Sequence, residues 1–391
     1  MKKIFLTAIA LISIATTQVF GMYGVSSGDW IGFLTHGNQF RARLDQLGFT
    51  LGNDMIKGTF GFHTDRGNYG AMLNSVAANT ETTSTGSSTG SGFFYNFVPT
   101  ISMGLAYTSS LISVGVGYNA TIATNRWVRY NGKTEGKTTE AVVHTPVLVL
   151  NALDNAFRMA IPIQVLHLTN KRDTSSGSLT AVSLDAQFRY YTGLEMLPQV
   201  RLYLKYGTYG AQFTPDGGGE KTKEKFAESF GFDLRFYFGS VVEEVALQPL
   251  VKLAYNGALG KQHNVRSVTA LGVLDDAATT MGTYNSTWGG SATWEKSAWD
   301  LQLMTGLGLT ANSDIVSLYL EPELGLQVIQ VGHITDKVKE VYGLGYNVYA
   351  EIYITPIKNL EWYFEAQLGS DTGTTFGFNG TTGITWYLPA L

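Results

Sequence analysis

The chain has 391 residues, 27 of them basic and 31 acidic, with 45 glycines, nine prolines and no cysteine. Charged residues are 15%, against about 25% in an ordinary soluble protein, while 44% of the chain is hydrophobic and 13% aromatic, which excludes a disordered chain. The lack of cysteine excludes a disulfide scaffold and a thiolate zinc site, rare proline without a glycine period excludes collagen, and a net charge of −4 leaves no basic footprint for nucleic acid.

The first predicted element is an address. Lys2 and Lys3 precede an apolar run from Ile4 to Ala15, and Val19-Phe20-Gly21 offers a small residue for cleavage. Residues 1–21 read as a secretory signal peptide, because the run is shorter than the ~20 apolar residues of a spanning helix. Residues 22–38 follow as a periplasmic or plug segment, in which Ser27 to His36 reads as a short helix or plug.

From Gln39 to Leu388 the pattern has period two. Phe226, Phe230, Phe232, Leu234, Phe236 and Phe238 share one parity, and Ala227, Ser229, Gly231, Asp233, Arg235 and Tyr237 share the other. Strand side chains alternate between faces, so this is a strand with one apolar and one polar face. Many such segments exceed the usual sandwich strand, and their apolar faces are aromatic-rich, as in the ~10-residue spans of an outer-membrane barrel. Strands are predicted at 39–51, 55–64, 69–77, 93–107, 111–123, 141–151, 156–168, 178–191, 198–211, 226–238, 244–257, 296–310, 315–330, 341–355, 360–370 and 374–388. The fold class is therefore all-β, a transmembrane antiparallel β-barrel of about 16 strands, an even count as in bacterial barrels. Within 39–51, Phe40, Ala42 and Leu44 have one parity and Leu47, Phe49 and Leu51 the other. A β-bulge near Asp45–Gln46 restores the face; alternatively the count is fourteen.

Tight turns are expected at Thr108-Ser109-Ser110, Leu153-Asp154-Asn155, Gly239-Ser240, Asn312-Ser313-Asp314 and Pro356 to Asn359. Long loops are expected at Asn79 to Gly92, Thr124 to Glu140, Thr169 to Gly177, Thr214 to Lys225, Gly257 to Glu295 and Gly332 to Glu340. Barrels keep short turns in the periplasm and long loops outside, which puts the long loops on the cell surface. Thr82 to Gly92 is a low-complexity stretch.

The inward parity carries the candidate pore-lining residues. Arg158, Arg189, Arg201, Lys205, Arg235 and Lys252 form a mainly basic wall, with Arg41 and Arg43 near the closing seam. Asp300, Glu321, Glu323, Glu351, Glu361 and Glu365 form an acidic wall. Separated walls of opposite charge set up a transverse field that orients polar solutes. The bland alternative is that these charges solvate the wall and pair with neighbours. Tyr190, Tyr255, Trp299, Trp362 and Trp386 are expected in interface girdles. The six histidines, His36, His63, His144, His167, His263 and His333, show no metal spacing and no nucleophile motif, so no catalytic residue, metal or cofactor is expected. Gly115-Val116-Gly117 lacks the third glycine and the following helix of a dinucleotide loop.

Gly21-Met22-Tyr23-Gly24, Trp30, the run from Phe33 to Phe49 and Gly58-Thr59-Phe60-Gly61-Phe62 resemble the variable surface proteins of intestinal spirochaetes. Further on the resemblance is one of style, in alternating Tyr/Gly-rich strands and a Trp-Tyr ending. It implies an abundant outer-membrane protein with exposed, antigenically varying loops, and no catalytic residues. The chain departs from common barrel endings in its tail, Leu388-Pro389-Ala390-Leu391.

The expected function is passive diffusion of small hydrophilic solutes through a porin-like barrel that is also a major surface antigen. The alternative is an adhesin or immune-evasion barrel with a closed lumen and no transport role. Expected partners are outer-membrane lipid, small hydrophilic solutes, host surfaces or antibodies at the loops, and further copies of the chain. The expected location is the outer membrane of a diderm bacterium.

Overall fold

The computed structural model describes residues 31, 34, 37–43, 46–64, 99–109, 111–124, 138–171, 176–214, 222–242, 245–259, 296–297, 299–330, 339–371 and 374–391. The strands are β1 (Gln39–Arg43), β2 (Gln46–Gly52), β3 (Ile56–Thr64), β4 (Pro99–Tyr107), β5 (Ile112–Thr124), β6 (Thr138–Ala152), β7 (Phe157–Lys171), β8 (Ser176–Tyr191) and β9 (Gln199–Thr214). They continue as β10 (Thr222–Tyr237), β11 (Ser240–Val242), β12 (Val245–Ala258), β13 (Trp299–Asn312), β14 (Val316–Gln330), β15 (Val341–Ile357), β16 (Leu360–Asp371) and β17 (Thr374–Tyr387). Apart from β10 and β11, which both pair with β12, each pairs antiparallel with its neighbours in the chain, and β1 pairs with β17 to close the ring. β11 continues β10 along β12 after a break at Phe238–Gly239, so the barrel has sixteen strands.

Closure satisfies every strand edge, and alternation decides which face looks inward. In β14, Leu318, Leu324 and Leu326 face out while Tyr319, Glu321, Glu323 and Gln327 are buried inside. In β5, Val114 and Val116 face out while Gly115 and Asn119 are buried. Leu105, Val116 and Leu344 are 59%, 57% and 66% exposed. Polar-in and apolar-out inverts a soluble domain, and so continuous an apolar belt belongs against lipid rather than water.

Connections alternate between two ends. At one end they are short, and two of them use left-handed backbone: Leu153, Asp154 and Asn155 have φ of 56°, 53° and 67°, and Asn359 has 66°. Both chain ends of the barrel meet there. Leu388 donates its N–H to the Asn38 carbonyl (2.8 Å), and the Asn38 amide donates to Gly52 (2.8 Å) and Pro389 (2.9 Å). The tail after Tyr387 is thus stitched to the seam, with the Leu391 N–H on the Gly52 carbonyl at 3.1 Å.

Four expectations change. First, the 39–51 strand is a hairpin, with Phe40 opposite Phe49 and Ala42 opposite Leu47. Opposed residues share a face, so a reversal keeps both apolar sets outward without a bulge. Second, β3 pairs directly with β4, which leaves no place for a strand between them; the expected strand 69–77 lies outside the described residues. Third, the expected loop Thr169 to Gly177 is mostly strand, because Lys171 pairs with Ser176. Backbone pairing continues there with polar residues on both faces, beyond what an apolar pattern reveals. Fourth, the chain does not turn at Gly239–Ser240. The neighbouring turn crosses there, with the Gly239 N–H on the Met196 carbonyl at 3.3 Å and no room for a Cβ beside Glu195. The expected signal peptide 1–21, the strand start 93–98 and the loop Asn79 to Gly92 lie outside the described residues.

Candidate functional site

The sequence-derived charges all sit on inward parities of neighbouring strands. Arg158 is on β7, Arg189 on β8, Arg201 and Lys205 on β9, Arg235 on β10 and Lys252 on β12. Asp300 is on β13, Glu321 and Glu323 on β14, Glu351 on β15, and Glu361 and Glu365 on β16. Most lie near the short-turn end of their strands.

The two walls touch. The Arg235 guanidinium donates to Asp233 on its own strand at 2.8 Å and reaches Glu321 on β14 at 4.0 Å, past β12 and β13. Lys252 reaches Glu323 on β14 at 3.5 Å. On the other flank Arg41 and Arg43 of β1 converge on Glu365 of β16 at 3.6 and 3.5 Å, passing β17. A pair that skips one or two of sixteen strands cuts a short chord across its own arc of the inner wall. Arg41, Arg43, Arg235 and Lys252 are thereby matched with acidic residues two or three strands away.

Tyrosines fill the space between the charges. Tyr319 donates its hydroxyl to Glu321, and Tyr387 donates to Glu361 at 3.1 Å. The guanidinium of Arg41 stacks on Tyr363 at 4.2 Å and that of Arg201 on Tyr237 at 4.5 Å. Such cation–π contacts strengthen where water is excluded. Tyr319, Tyr349, Tyr353 and Tyr363 form one buried cluster. Sequence parity puts Tyr349, Tyr353 and Tyr363 on the polar face with Glu351, Glu361 and Glu365, while their gathering into one cluster depends on the register between strands.

Burial at this level is nearly complete. Arg201 and Glu321 are each 1% exposed, and Glu351 is 2%. A wall charge in a water-filled sixteen-stranded barrel faces solvent. Here Glu323 and Glu351 each keep one buried carboxylate oxygen without a hydrogen bond.

The remaining arc of the lumen carries mostly uncharged residues, with buried polar ones such as Thr50, Thr59, Ser102 and Asn119 beside a small apolar seat. Ile31 and Leu34, both fully buried, pack with Ala106, Val147, Val149 and Ala160 of β4, β6 and β7. The seat is made of glycines. A Cβ on Gly117 would lie 2.2 Å from Ile31, and one on Gly104 would lie 2.9 Å from both Ile31 and Leu34. The Leu34 N–H donates to the Ile31 carbonyl at 3.1 Å, which makes a turn of these residues. Gly115 and Gly117 thus have a packing role, and this seat was not recognisable from sequence.

The aromatic residues sit on outward parities in two groups. Tyr190, Trp362 and Trp386, 43%, 46% and 57% exposed, lie toward the short-turn end. Tyr255 and Trp299 lie toward the other end, and the Trp299 indole donates to Gln330 at 3.0 Å. His144 bonds to Tyr118 on the outer face. Among the described residues no group of three or more His, Cys, Asp or Glu is placed to hold a metal ion.

The family model for the Serpulina hyodysenteriae variable surface protein matches residues 2–387. No curated protein matches the chain. Among solved structures, the translocator domain of the autotransporter NalP from Neisseria meningitidis is 13% identical, covering 72% of this chain and 90% of that one at a TM-score of 0.33. CdiB from Escherichia coli is 11% identical over 89% of this chain and 62% of its own, at 0.40. The siderophore receptor PirA from Pseudomonas aeruginosa is 8% identical over 89% and 78%, at 0.33.

Proposed function

Because the chain belongs to the Serpulina hyodysenteriae variable surface protein family, we propose that this outer-membrane surface barrel displays its long connections to the exterior over a lumen closed at the short-turn end. The observation that carries the reading is the chord of buried ion pairs, Arg235–Glu321 and Lys252–Glu323 on one side and Arg41–Glu365 on the other. Breaking them to admit water exposes charges that hold each other in place. The Ile31–Leu34 seat adds apolar side chains within the opposite arc, where a hydrated solute loses hydrogen bonds it cannot replace.

Liposome swelling tests the closed lumen. Vesicles carrying the folded barrel are expected to swell in arabinose no faster than empty vesicles, and swelling at porin rates overturns it. Display is tested by cysteine labelling in this cysteine-free chain. On intact cells an impermeant maleimide is expected to label Ser176→Cys, the first residue of β8, and not Asn155→Cys, at the opposite end. The reverse pattern inverts the orientation.

A second reading, diffusion of small hydrophilic solutes, is favoured by the polar inward faces of β8 to β17. It requires the chord to open, and swelling in the same assay supports it.

A further inference from the structure

Inward glycines on neighbouring strands cut a groove into the β2–β5 wall. Register sets Gly48 of β2 beside Gly61 of β3, and Gly61 beside Ser102 of β4. One inward rung toward the short turns, Thr59 stands beside Gly104, and Gly104 beside Gly117 of β5. The next rung holds Ala106 and Gly115. Glycine weakens a strand interior and marks a place where something approaches the backbone closely. What approaches here is the Ile31–Leu34 turn, since a Cβ on Gly117 meets three Ile31 side-chain atoms within 2.6 Å. Ile31 and Leu34 belong to no strand, and the chain joins the ladder only at Gln39. The ring closes without the turn, so the turn can leave while every strand pair stays formed.

Around this seat the wall is polar but uncharged. Thr50, Thr59, Ser102, Asn119 and Thr145 are buried inside, and Thr50 donates to Thr59 at 3.0 Å. The Ser102 hydroxyl is buried without a hydrogen bond. Among the described residues of β2 to β6, Lys57 is the one charged residue on an inward parity. Hydroxyls and amides beside an apolar surface match the O–H edges and C–H faces of a sugar, whereas an ion finds no countercharge there.

We propose that the Ile31–Leu34 turn is a removable stopper: withdrawn, it leaves a glycine-floored groove along the β2–β6 wall that passes an uncharged polyhydroxyl solute, a sugar or polyol. The proposal rests on the closed lumen, and names the part of the closure that moves and the solute then admitted. The ion pairs of Arg41, Arg235 and Lys252 stay formed in both states.

Vesicle swelling in glucose, compared between the folded parent and stopper variants, is the test. Ile31→Asp/Leu34→Asp places carboxylates that an apolar seat cannot hold, and is expected to swell severalfold faster than the parent. Gly117→Val crowds the seat from the wall and leaves the N-terminal segment unchanged. It is expected to act in the same direction, and it serves where the double variant does not fold. Met304→Ala, a buried change on β13, is expected to swell as the parent does. Gluconate, a charged solute of similar size, is expected to enter the released barrels more slowly than glucose. Parent swelling at porin rates overturns the closed lumen; released barrels that then swell no faster overturn the stopper as well. With a closed parent, folded stopper variants that stay closed overturn the stopper alone. A Met304 variant that swells with them, or equal entry of glucose and gluconate, also overturns it.

Discussion

Glu321 is the residue on which the two charged walls meet. It accepts from Tyr319, lies 4.0 Å from Arg235 and is 1% exposed. Removing one partner of a buried ion pair costs about 3–5 kcal/mol, because the other charge is left uncompensated. Glu321→Gln is therefore expected to lower stability by about that amount in a urea titration of the folded barrel. An Arg235→Met/Glu321→Leu double variant is expected to recover much of the loss; an unchanged midpoint for Glu321→Gln contradicts the chord. At this scale the sequence disclosed which charges face inward, because parity alone fixes that. It did not disclose their partners. Whether Arg235 reaches a strand three places away depends on how tightly the ring closes, which no local pattern encodes. Arg158, Arg189 and Arg201 were read as separate wall residues, and their alignment into one row is a matter of register between strands.

At the element scale, two local devices set the geometry. Hairpin turns place non-glycine residues in left-handed backbone, and asparagine tolerates this better than branched residues. Asn359→Val is expected to cost about 1–2 kcal/mol in the same titration, and a neutral effect shows that the β15–β16 turn has another conformation. The second device is the seat of Ile31 on Gly117. An added Cβ there falls within 2.6 Å of three Ile31 side-chain atoms, which brings cysteines at the two positions into reach of one another. Ile31→Cys/Gly117→Cys is expected to cross-link on mild oxidation, detected as a gel-mobility shift reversed by reductant; failure to cross-link in a folded barrel removes Ile31 from the lumen. Long periodic strands such as β14 and β15 were legible nearly to their ends. The first strands were not. A parity change from Ala42 to Leu47 fits a bulge and a hairpin equally well, and only the pairing of β1 with β2 separates them. The glycines of β4 and β5 looked like ordinary small inward residues until the packing of Ile31 and Leu34 gave them a role.

At the scale of the whole molecule, one closed ring explains the unusual composition. Charge is scarce because the outer face is apolar, and much of what the strands carry is gathered where opposing strands converge. The count of sixteen emerged from the sequence by a compensating pair of differences, since the first segment forms two strands and β3 pairs directly with β4. Family membership accounts for a surface barrel, while the state of its lumen follows from side chains deep inside it. Single-molecule conductance in a planar lipid bilayer measures that state most directly. The buried chord and the Ile31–Leu34 seat predict insertion without steady conductance at neutral pH. A stable ohmic conductance in every inserted molecule would contradict a closed lumen.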